Sequence, residues 1–447
     1  MRFLRVDPSF LKWFYYGMHI KRWLLLMLVG VVIMGLGFGY FLRQAYDTYV
    51  FPSWVYYLTL QFLPRYVRGA LFLTASASFI LVAIWQLNRS LLSAFMRPGR
   101  NESLVNIIYN HRYLRRGPKI VAIGGGTGLS TLLRGLKQYT GNLTAVVTVA
   151  DDGGSSGRLR QELGLPAPGD LRNCIAALAD AEPLMTKLFQ YRFNEGSGLE
   201  GHSFGNLFIA AMSSVTGNFE DAVRETSRVL AVRGQILPST LANVTLSAVT
   251  EDDEAIHGES NITERGSRIK QVFIHPENAQ ANPDAIRAIL DADMIVIGPG
   301  SLFTSVLPNL LVDGIRRAIE MSKGLKVYVC NVATQHGETD AFAVSDHCRV
   351  VYDHVHRQLF SYVVANSNIT KEALPEAWHA EPVLMDTQRM NGTMVLAADV
   401  VSENNRYHHD TEKLAAAVMN LYYQRRQVDA FIAPAASERE PQEAAAL

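Results

Sequence analysis

A run of glycines between an apolar segment and an amphipathic segment is the feature that most constrains the fold of this chain. The run follows the apolar stretch 119–123 and precedes the stretch 130–138, which predicts a strand, a turn and a helix in that order. It consists of Gly124, Gly125, Gly126, Thr127 and Gly128. At such a helix start, backbone N–H groups face a phosphate without side-chain obstruction. Leu129 stands where a third glycine would complete the G-x-G-x-x-G spacing, so the alternative is a tight strand-to-helix turn without a ligand.

An acidic, glycine-rich loop follows the next predicted strand, 143–149. Asp151 and Asp152 lie at the strand tip, ahead of Gly154 and Ser155. A carboxylate in this position accepts hydrogen bonds from ribose hydroxyls. Two adjacent carboxylates also suit Mg²⁺ beside a diphosphate, which is the alternative role of this pair. An Asp-Gly turn on the surface would explain the glycines but not both carboxylates.

The same scheme recurs later in the chain. A predicted helix at 285–290 leads to a strand at 294–297, a second glycine turn, another helix and a strand at 326–330. The second turn contains Gly298, Gly300 and Ser301, and the polar Asn331 and Gln335 follow the last strand. This alternation predicts an α/β fold with a doubly wound, mostly parallel, Rossmann-like sheet, whose ligands lie at the carboxyl ends of the strands.

Two further segments begin predicted helices and carry polar candidates for ligand contact. Asp170 is predicted to cap the helix 171–178, and Ser203 is predicted to cap the helix 206–216. The candidates are Asn173, His202 and Asn206. A structural role in these loops is the alternative for each of them.

Two long apolar stretches precede the α/β part of the chain. Residues 23–42 and 70–87 carry no charged side chain, and about 20 apolar residues suffice to cross a bilayer. They are predicted to be transmembrane helices within a membrane anchor of residues 1–100. Lys and Arg are concentrated before the first stretch and after the second, which predicts a multi-pass protein of the cell membrane with its main domain in the cytoplasm. The other segments are a basic linker at 101–118, the α/β domain at 119–427 and a tail at 428–447 that is predicted to be disordered.

Composition and the absence of certain motifs limit the classes of partner, metal site and catalytic site that we expect. Lys plus Arg equals Asp plus Glu, at 42 each, so the net charge gives no reason to expect nucleic acid. The three cysteines Cys174, Cys330 and Cys348 are far apart in the sequence, which favours buried thiols over a disulfide or a metal site. The His-rich segment 407–410 is interpreted as a helix start rather than a metal site. A P-loop and an H-E-x-x-H motif are both absent from the sequence, and we assign no catalytic residue.

Six ordered motifs resemble one family. They are GGGTGL at Gly124, DDGGSSG at Asp151, PGDLRN at Pro168, GHSFGNL at Gly201, GPGSLFTS at Gly298 and NVATQHGET at Asn331. Over residues 119–419 the chain is similar to the gluconeogenesis factors of the YvcK type, which bind UDP-N-acetylglucosamine and are relatives of 2-phospho-L-lactate transferase.

The resemblance implies a bacterial regulatory protein that binds a UDP-sugar and links central carbon metabolism to cell-wall synthesis and cell shape. No cofactor is expected to be required, although NAD(P) is expected as a further ligand. The protein is expected to form a homo-oligomer and to have cell-wall synthesis proteins as partners. By motif, the two glycine turns would hold phosphates, Asp151 and Asp152 would face the ligand, and Asn173 and Asn206 would line the cleft. The rival hypothesis is a magnesium-dependent transferase of the phospholactate type.

Overall fold

The chain divides into two units, Met1–Tyr113 and Leu114–Leu447. The structure, a computed structural model, describes residues 20–49, 51–95, 114–180, 183–196, 198–369 and 380–437. The described part of the first unit is helical. Its helices are α1 (Ile20–Thr48), α2 (Ser53–Leu58) and α3 (Arg65–Phe95).

The prediction that residues 23–42 and 70–87 are transmembrane helices is wrong. Both stretches are helical, as parts of α1 and α3, but over the described residues neither helix is long and apolar enough to cross a membrane. The prediction rested on the length and the lack of charge of each stretch, and these two properties alone do not make a helix apolar enough to cross a bilayer.

The second unit contains the predicted α/β sheet. Its strands are β1 (Ile120–Gly124), β2 (Leu143–Val147), β3 (Gln235–Pro238), β4 (Thr245–Thr250), β5 (Ala255–His257), β6 (Ile269–His275), β7 (Met294–Ile297), β8 (Leu325–Val329), β9 (Tyr362–Asn366), β10 (Arg389–Met390) and β11 (Thr393–Ala398). Within the described residues, eight strands form one sheet in the order β10-β11-β9-β8-β7-β1-β2-β3. All neighbours in it are parallel except β10 and β11. The doubly wound, mostly parallel fold is therefore confirmed.

Helices connect these strands. They are α4 (Gly126–Leu136), α5 (Gly154–Leu163), α6 (Gly169–Leu178), α7 (Pro183–Gln190), α8 (Phe204–Thr216), α9 (Phe219–Val229), α10 (Glu259–Arg265), α11 (Pro283–Leu290), α12 (Leu307–Leu310), α13 (Asp313–Met321), α14 (Val344–Val355) and α15 (Thr411–Ser437). A π-helical turn, Leu302–Val306, leads into α12. Since α15 continues to Ser437, residues 428–437 of the predicted tail are helical, and 438–447 lie outside the described residues.

The core forms where the helices cover the sheet. All five residues of β1 and all four of β7 are buried, as expected for central parallel strands. Helix α4 buries Leu129, Leu132, Leu133 and Leu136, which recur at the spacing of one helix face. Burying apolar side chains of this size is worth about 2 kcal/mol each. This packing fixes α4, and with it the first glycine turn, against the sheet.

Three strands lie outside the main sheet. They form an antiparallel sheet in the order β5-β4-β6. Helix α10 follows β5 and contacts this small sheet, with Ile262 buried in the interface. The first turn of α10 reaches the acidic loop that follows β2, because Ser260 donates to Asp152. The small sheet thus supplies one wall of the region described below.

The close contact between α4 and α15 leads to a prediction about the stability of the fold. A Cβ at Gly135 in α4 would lie 2.2 Å from the carbonyl oxygen of Thr411 and 2.6 Å from Cβ of Ala415 in α15. We expect Gly135→Ala to lower the free energy of unfolding by about 1–3 kcal/mol, because an overpacked contact forces the helices apart. Urea denaturation of the full chain measures this change. Gly141→Ala is the matched control, since its Cβ would meet atoms only at 3.5 Å and beyond. Equal stability of the two variants would contradict the prediction.

Candidate functional site

The first glycine turn joins β1 to α4 at the carboxyl edge of the sheet. Gly126 has a φ of +64°, a left-handed conformation that favours glycine. A Cβ at Gly125 would lie 2.3 Å from Oδ2 of Asp170. The backbone conformation requires glycine at position 126, and the close contact with Asp170 requires glycine at position 125. Without side chains at these positions, a small ligand group can approach the start of α4.

The second glycine turn follows β7 and is held by polar side chains. Gly298 and Gly300 have φ values of +78° and +155°. The amide N–H of Gly300 donates to Oδ1 of Asn331 at 3.3 Å, and Nδ2 of Asn331 donates to the Gly300 carbonyl at 2.9 Å. Ser301 caps the following π-helical turn by accepting from the Thr304 N–H at 3.1 Å. The Asn331 side chain thus fixes the shape of this turn.

The two turns touch each other because β1 and β7 are neighbouring strands. A Cβ at Gly128 would lie 2.8 Å from the Pro299 carbonyl oxygen and 2.9 Å from the Gly300 nitrogen. Asn309 Nδ2 donates to the carbonyl of Gly124 at 3.0 Å, so a residue of α12 also holds the first turn. From β1 the chain winds outward to β3 and then returns to β7 on the other side. The contact therefore lies at the topological switch point, where open α/β sheets bind their ligands.

A cavity of ≈ 90 Å³ opens where the two turns meet. Its lining includes Thr127, Gly128, Gly300, Ser301, Asn331 and Gln335. Tyr407 and His408 form another part of its wall. Among the described side chains, Gln335 Oε1 is buried without a hydrogen-bond partner, so it can accept a hydrogen bond from a ligand. Six of the sequence-based candidates thus converge on one cavity.

Asp170 contacts the first glycine turn. The prediction that it caps α6 is wrong, because Pro168 occupies the cap position and no side chain caps that helix. Instead the backbone N–H of Gly126 donates to the Asp170 carboxylate. The residue keeps some accessible surface, but its carboxyl group lies deep among protein atoms. Burial raises the pKa of Asp170 to about 7, and the charge of Asp151 raises it as well.

The acidic loop after β2 is tied to its surroundings. Asp152 accepts hydrogen bonds from the N–H of Glu259 at 3.1 Å and from the N–H of Ser260 at 2.9 Å, so it holds the start of α10. Asp151 Oδ1 accepts from the Gly153 N–H at 3.0 Å. Among the described residues, no group of three His, Cys, Asp or Glu side chains is arranged to hold a metal ion. Asp151 and Asp152 as magnesium ligands therefore remain a prediction.

Glu259 is a member of this acidic region that sequence reasoning missed. Burial raises the pKa of Glu259 to about 8, and the charges of Asp151, Asp170 and Asp152 raise it further. The residue lies in the first turn of α10, more than 100 positions from Asp151 in the sequence. No local pattern links the two, because the small sheet alone brings α10 to this loop. Four carboxyl groups thus gather near the first glycine turn.

A buried polar network includes three other candidates. Ser155 Oγ lies 3.0 Å from Nδ1 of His202 and accepts from Asn206 Nδ2 at 3.1 Å. Ser203 caps α8, as predicted, and its hydroxyl accepts from Arg172 at 2.7 Å. Arg172 also donates to Asn173 Oδ1 at 2.8 Å. The lining of the cavity between the turns includes none of these residues. In the described structure they join α5, α6 and α8.

The spacing Gly-x-Ser-x-Gly occurs at 153–157, with Ser155 in the central position. A serine nucleophile needs an exposed Oγ beside a base, and His202 is near enough to act as one. However, Ser155 is only 3% exposed, and its oxygen already accepts from Asn206 and from the Ser203 N–H at 3.3 Å. Burial lowers the pKa of His202, and so does the charge of Arg158. These contacts give Ser155 a structural role.

The structure also locates the three cysteines, the His-rich segment and Gly154. Cys174, Cys330 and Cys348 are buried free thiols, as predicted. The His-rich segment is a helix start, also as predicted, because Asp410 Oδ1 accepts from the first N–H groups of α15. His409 Nε2 lies 3.1 Å from the carbonyl oxygen of Cys330, and burial lowers the pKa of His409 to about 4. Gly154, with a φ of +46°, starts α5.

The acidic region predicts an unusual dependence of stability on pH. The ordinary pKa of Asp170 is 3.8, whereas its pKa in the folded chain is about 7, so the folded state binds this proton more tightly. Its contribution to stability is therefore present below pH 3.8 and is lost as the pH rises to 7. We expect Asp170→Asn to reduce the fall in unfolding free energy over this range by up to about 1 kcal/mol per pH unit. Urea denaturation at several pH values measures this slope.

Glu264→Gln is the control for this prediction, because Glu264 is an exposed carboxyl of α10. It should keep the pH dependence of the original chain. If Asp170→Asn and the original chain had the same slope between pH 4 and 7, the proton on Asp170 would not contribute to stability.

Comparison with known proteins identifies the family. The family described as "2-phospho-L-lactate transferase CofD" matches residues 120–402. A "Putative gluconeogenesis factor" of Nostoc sp. (strain PCC 7120) is 46% identical over 435 residues, which cover 94% of this chain and 93% of the relative. The "Gluconeogenesis factor" of Bacillus subtilis (strain 168) is 48% identical over 310 residues, 68% of this chain and 98% of the relative.

A solved structure agrees with these sequence matches. A crystal structure of a protein from Bacillus halodurans superposes with a TM-score of 0.65 and is 44% identical in sequence. It covers 68% of this chain and 99% of the chain in the crystal. The fold, the two glycine turns and these relatives lead to the same conclusion: the chain belongs to the gluconeogenesis factor family, whose α/β domain is related to 2-phospho-L-lactate transferase.

Proposed function

We propose that this protein is a regulator that binds a UDP-sugar, first of all UDP-N-acetylglucosamine, with the diphosphate of the ligand in the small cavity between its two glycine turns. The contact of Gly128 with Pro299 and Gly300 is the observation on which the proposal rests. It brings two glycine-rich backbone segments to one point, where a ligand with two adjacent phosphates can approach both. The proposed role is to report the supply of nucleotide sugar from central carbon metabolism to cell-wall synthesis and cell shape.

Backbone groups suit the phosphates. The first N–H groups of a helix have no partner within the helix, and the helix dipole favours an anion there. Thr127 and Gly128 belong to the first turn of α4 and line the cavity. Thr127 also brings a hydroxyl. On the other side of the cavity, Asn331 and Gln335 offer amide groups to the uracil or sugar part, whose polar atoms need both donors and acceptors.

The wider role comes from the family. Relatives of this chain carry a name that refers to gluconeogenesis, which supports a role of this protein in carbon metabolism. Cytoplasmic placement of the α/β domain, self-association, contact with cell-wall synthesis proteins and NAD(P) as a further ligand remain predictions alongside this proposal.

Substitution of one glycine tests the proposed site. We expect Gly128→Ala to weaken the binding of UDP-N-acetylglucosamine by about tenfold or more, because the added Cβ pushes the turns apart by overpacking worth about 1–3 kcal/mol. Isothermal titration of the full chain measures the dissociation constant. Gly141→Ala is the control, because Gly141 lies at the opposite edge of the sheet, beside Leu114. Absence of heat from the original chain at ligand concentrations on the order of millimolar would refute the proposal.

A second candidate function is a metal-dependent transferase. It is favoured by the family match to 2-phospho-L-lactate transferase and by the carboxyl groups of Asp151, Asp170 and Glu259 near the first turn. Asp170 and Glu259 have pKa values that burial raises to about 7 and about 8, and groups with pKa values near neutrality are suited to hold and transfer a proton. Mg²⁺, if bound there, would supply charge neutralisation for a diphosphate.

The pH dependence of binding separates the two functions. A UDP-sugar keeps its charge between pH 6 and 8, so a change in affinity over this range reports on the protein. Without metal, we expect affinity for UDP-N-acetylglucosamine to fall as pH rises, because Asp170 and Glu259 lose protons and repel the diphosphate. The fall should be smaller in Asp170→Asn and unchanged in Glu264→Gln.

For a metal-dependent transferase we expect affinity to change with pH in the opposite direction. Ionised carboxylates hold Mg²⁺ better than protonated ones, so affinity in the presence of Mg²⁺ would then rise with pH. Parallel titrations with and without Mg²⁺ at pH 6, 7 and 8 measure both trends. An affinity that rises with pH only when Mg²⁺ is present would favour the transferase over the metal-free regulator.

A further inference from the structure

A second cavity lies away from the glycine turns, at the other edge of the main sheet. Its volume is ≈ 640 Å³. The first residues of two parallel strands, Leu325 of β8 and Tyr362 of β9, contribute to its wall, together with residues ahead of β1 and residues of α15. Because parallel strands share a direction, this is the amino edge, whereas the turns follow the carboxyl edge. We call it the amino-edge cavity.

The lining of the amino-edge cavity is strongly basic. Its cations come from three separate parts of the chain and are Arg116, Lys323, Lys326, Arg425 and Arg426. Asp293 is the carboxylate that the described lining contains. One of its oxygens, Oδ2, accepts a hydrogen bond from the backbone N–H of Lys119 at 2.8 Å. The described lining therefore contains five cationic side chains and one carboxylate.

Two of the basic groups are positioned by protein contacts. Lys326 Nζ donates to the carbonyl of Glu320 at 3.1 Å. Arg426 hydrogen-bonds the hydroxyl of Tyr422, a residue that is 8% exposed and so forms a fixed wall. Burial lowers the pKa of Lys326, and the negative charge of Glu320 only partly opposes this shift. Arg116 and Lys323 form no ion pair with any described carboxylate. Gathering like charges in this way is unfavourable unless an anion balances them.

We propose that the amino-edge cavity binds a small molecule that carries two or more adjacent phosphate groups. The volume falls within the range of about 300–1,000 Å³ that small-molecule sites occupy. The cations converge on one hollow from the segment ahead of β1, from the approach to β8 and from α15, instead of forming a row along one surface. A compact polyanion can contact all of them together, whereas an extended acidic polypeptide would need a row. Arg and Lys are the residues that bind phosphate most effectively.

Titration with inorganic tripolyphosphate at fixed ionic strength tests this site in the full chain. The test variant is the double substitution Arg116→Gln with Lys323→Gln, which removes two exposed cations of the cavity. Each lost charge-assisted contact should weaken binding by about tenfold. The matched control is Arg134→Gln with Lys187→Gln, which removes the same charge from exposed positions that line none of the cavities described. Lys323→Glu is a second variant, and reversal of its charge should weaken binding more than Lys323→Gln.

Two further titrations separate this site from the glycine turns. Gly128→Ala should still bind tripolyphosphate at the amino-edge cavity, and the Arg116 and Lys323 double variant should still bind UDP-N-acetylglucosamine as the original chain does. Thermal unfolding of each variant checks that it is folded.

Several results would overturn the proposal. One is an equal loss in the control pair, which would show attraction by net charge alone. Another is loss of tripolyphosphate binding in Gly128→Ala only, which would place the anion at the glycine turns. A third is the absence of tripolyphosphate binding by the original chain, including the case in which the basic surface binds only an acidic polypeptide.

Discussion

The backbone contact between Gly128 and the Pro299–Gly300 peptide is the constraint on which the rest of the site depends. It needs adjacent parallel strands, because β1 and β7 deliver the two turns to the same place. It also needs glycine, because a Cβ at Gly128 would lie 2.8 Å from a carbonyl oxygen. The side-chain amides of Asn309 and Asn331 each donate a hydrogen bond to the backbone of one turn and so fix its shape. The cavity is the space between these two turns.

The electrostatic environment of this contact is unusual for a site that is proposed to bind an anion. The N–H of Gly126 is already satisfied by the carboxyl of Asp170, and Asp151 and Glu259 lie nearby. Carboxyl groups of this kind repel a phosphate when ionised and can donate a hydrogen bond to it when protonated. The raised pKa values of Asp170 and Glu259 place this change near neutrality for those two groups. Their two protons therefore decide how the first turn would interact with a phosphate.

Much of the fold followed from local sequence patterns. The bounds of β7 were predicted to the residue, and β1 to within one, because short apolar runs ended by glycine are distinctive. The prediction for Asp170 failed because its carboxylate is satisfied by the Gly126 N–H, a partner far away in the sequence. Glu259 was not predicted because Asp151 and Asp170, whose charges act on it, are also far away in the sequence. The predicted membrane spans failed because a stretch of suitable length without charge is not by itself apolar enough to cross a membrane, and no helix of the described residues meets that requirement.

Helix α15 starts beside one cavity and lines the other. His408 and His409, just ahead of it, lie at the glycine turns, while Arg425 and Arg426 face the amino edge. The first turn of α15 is held against α4 by the close approach of Gly135. Each residue of a helix adds about 1.5 Å of length and a rotation of about 100°. A single insertion or deletion between Ala415 and Tyr422 would thus turn the arginines away from their cavity. Homologous chains that keep both cavities should tolerate substitutions in this segment but not a change in its length.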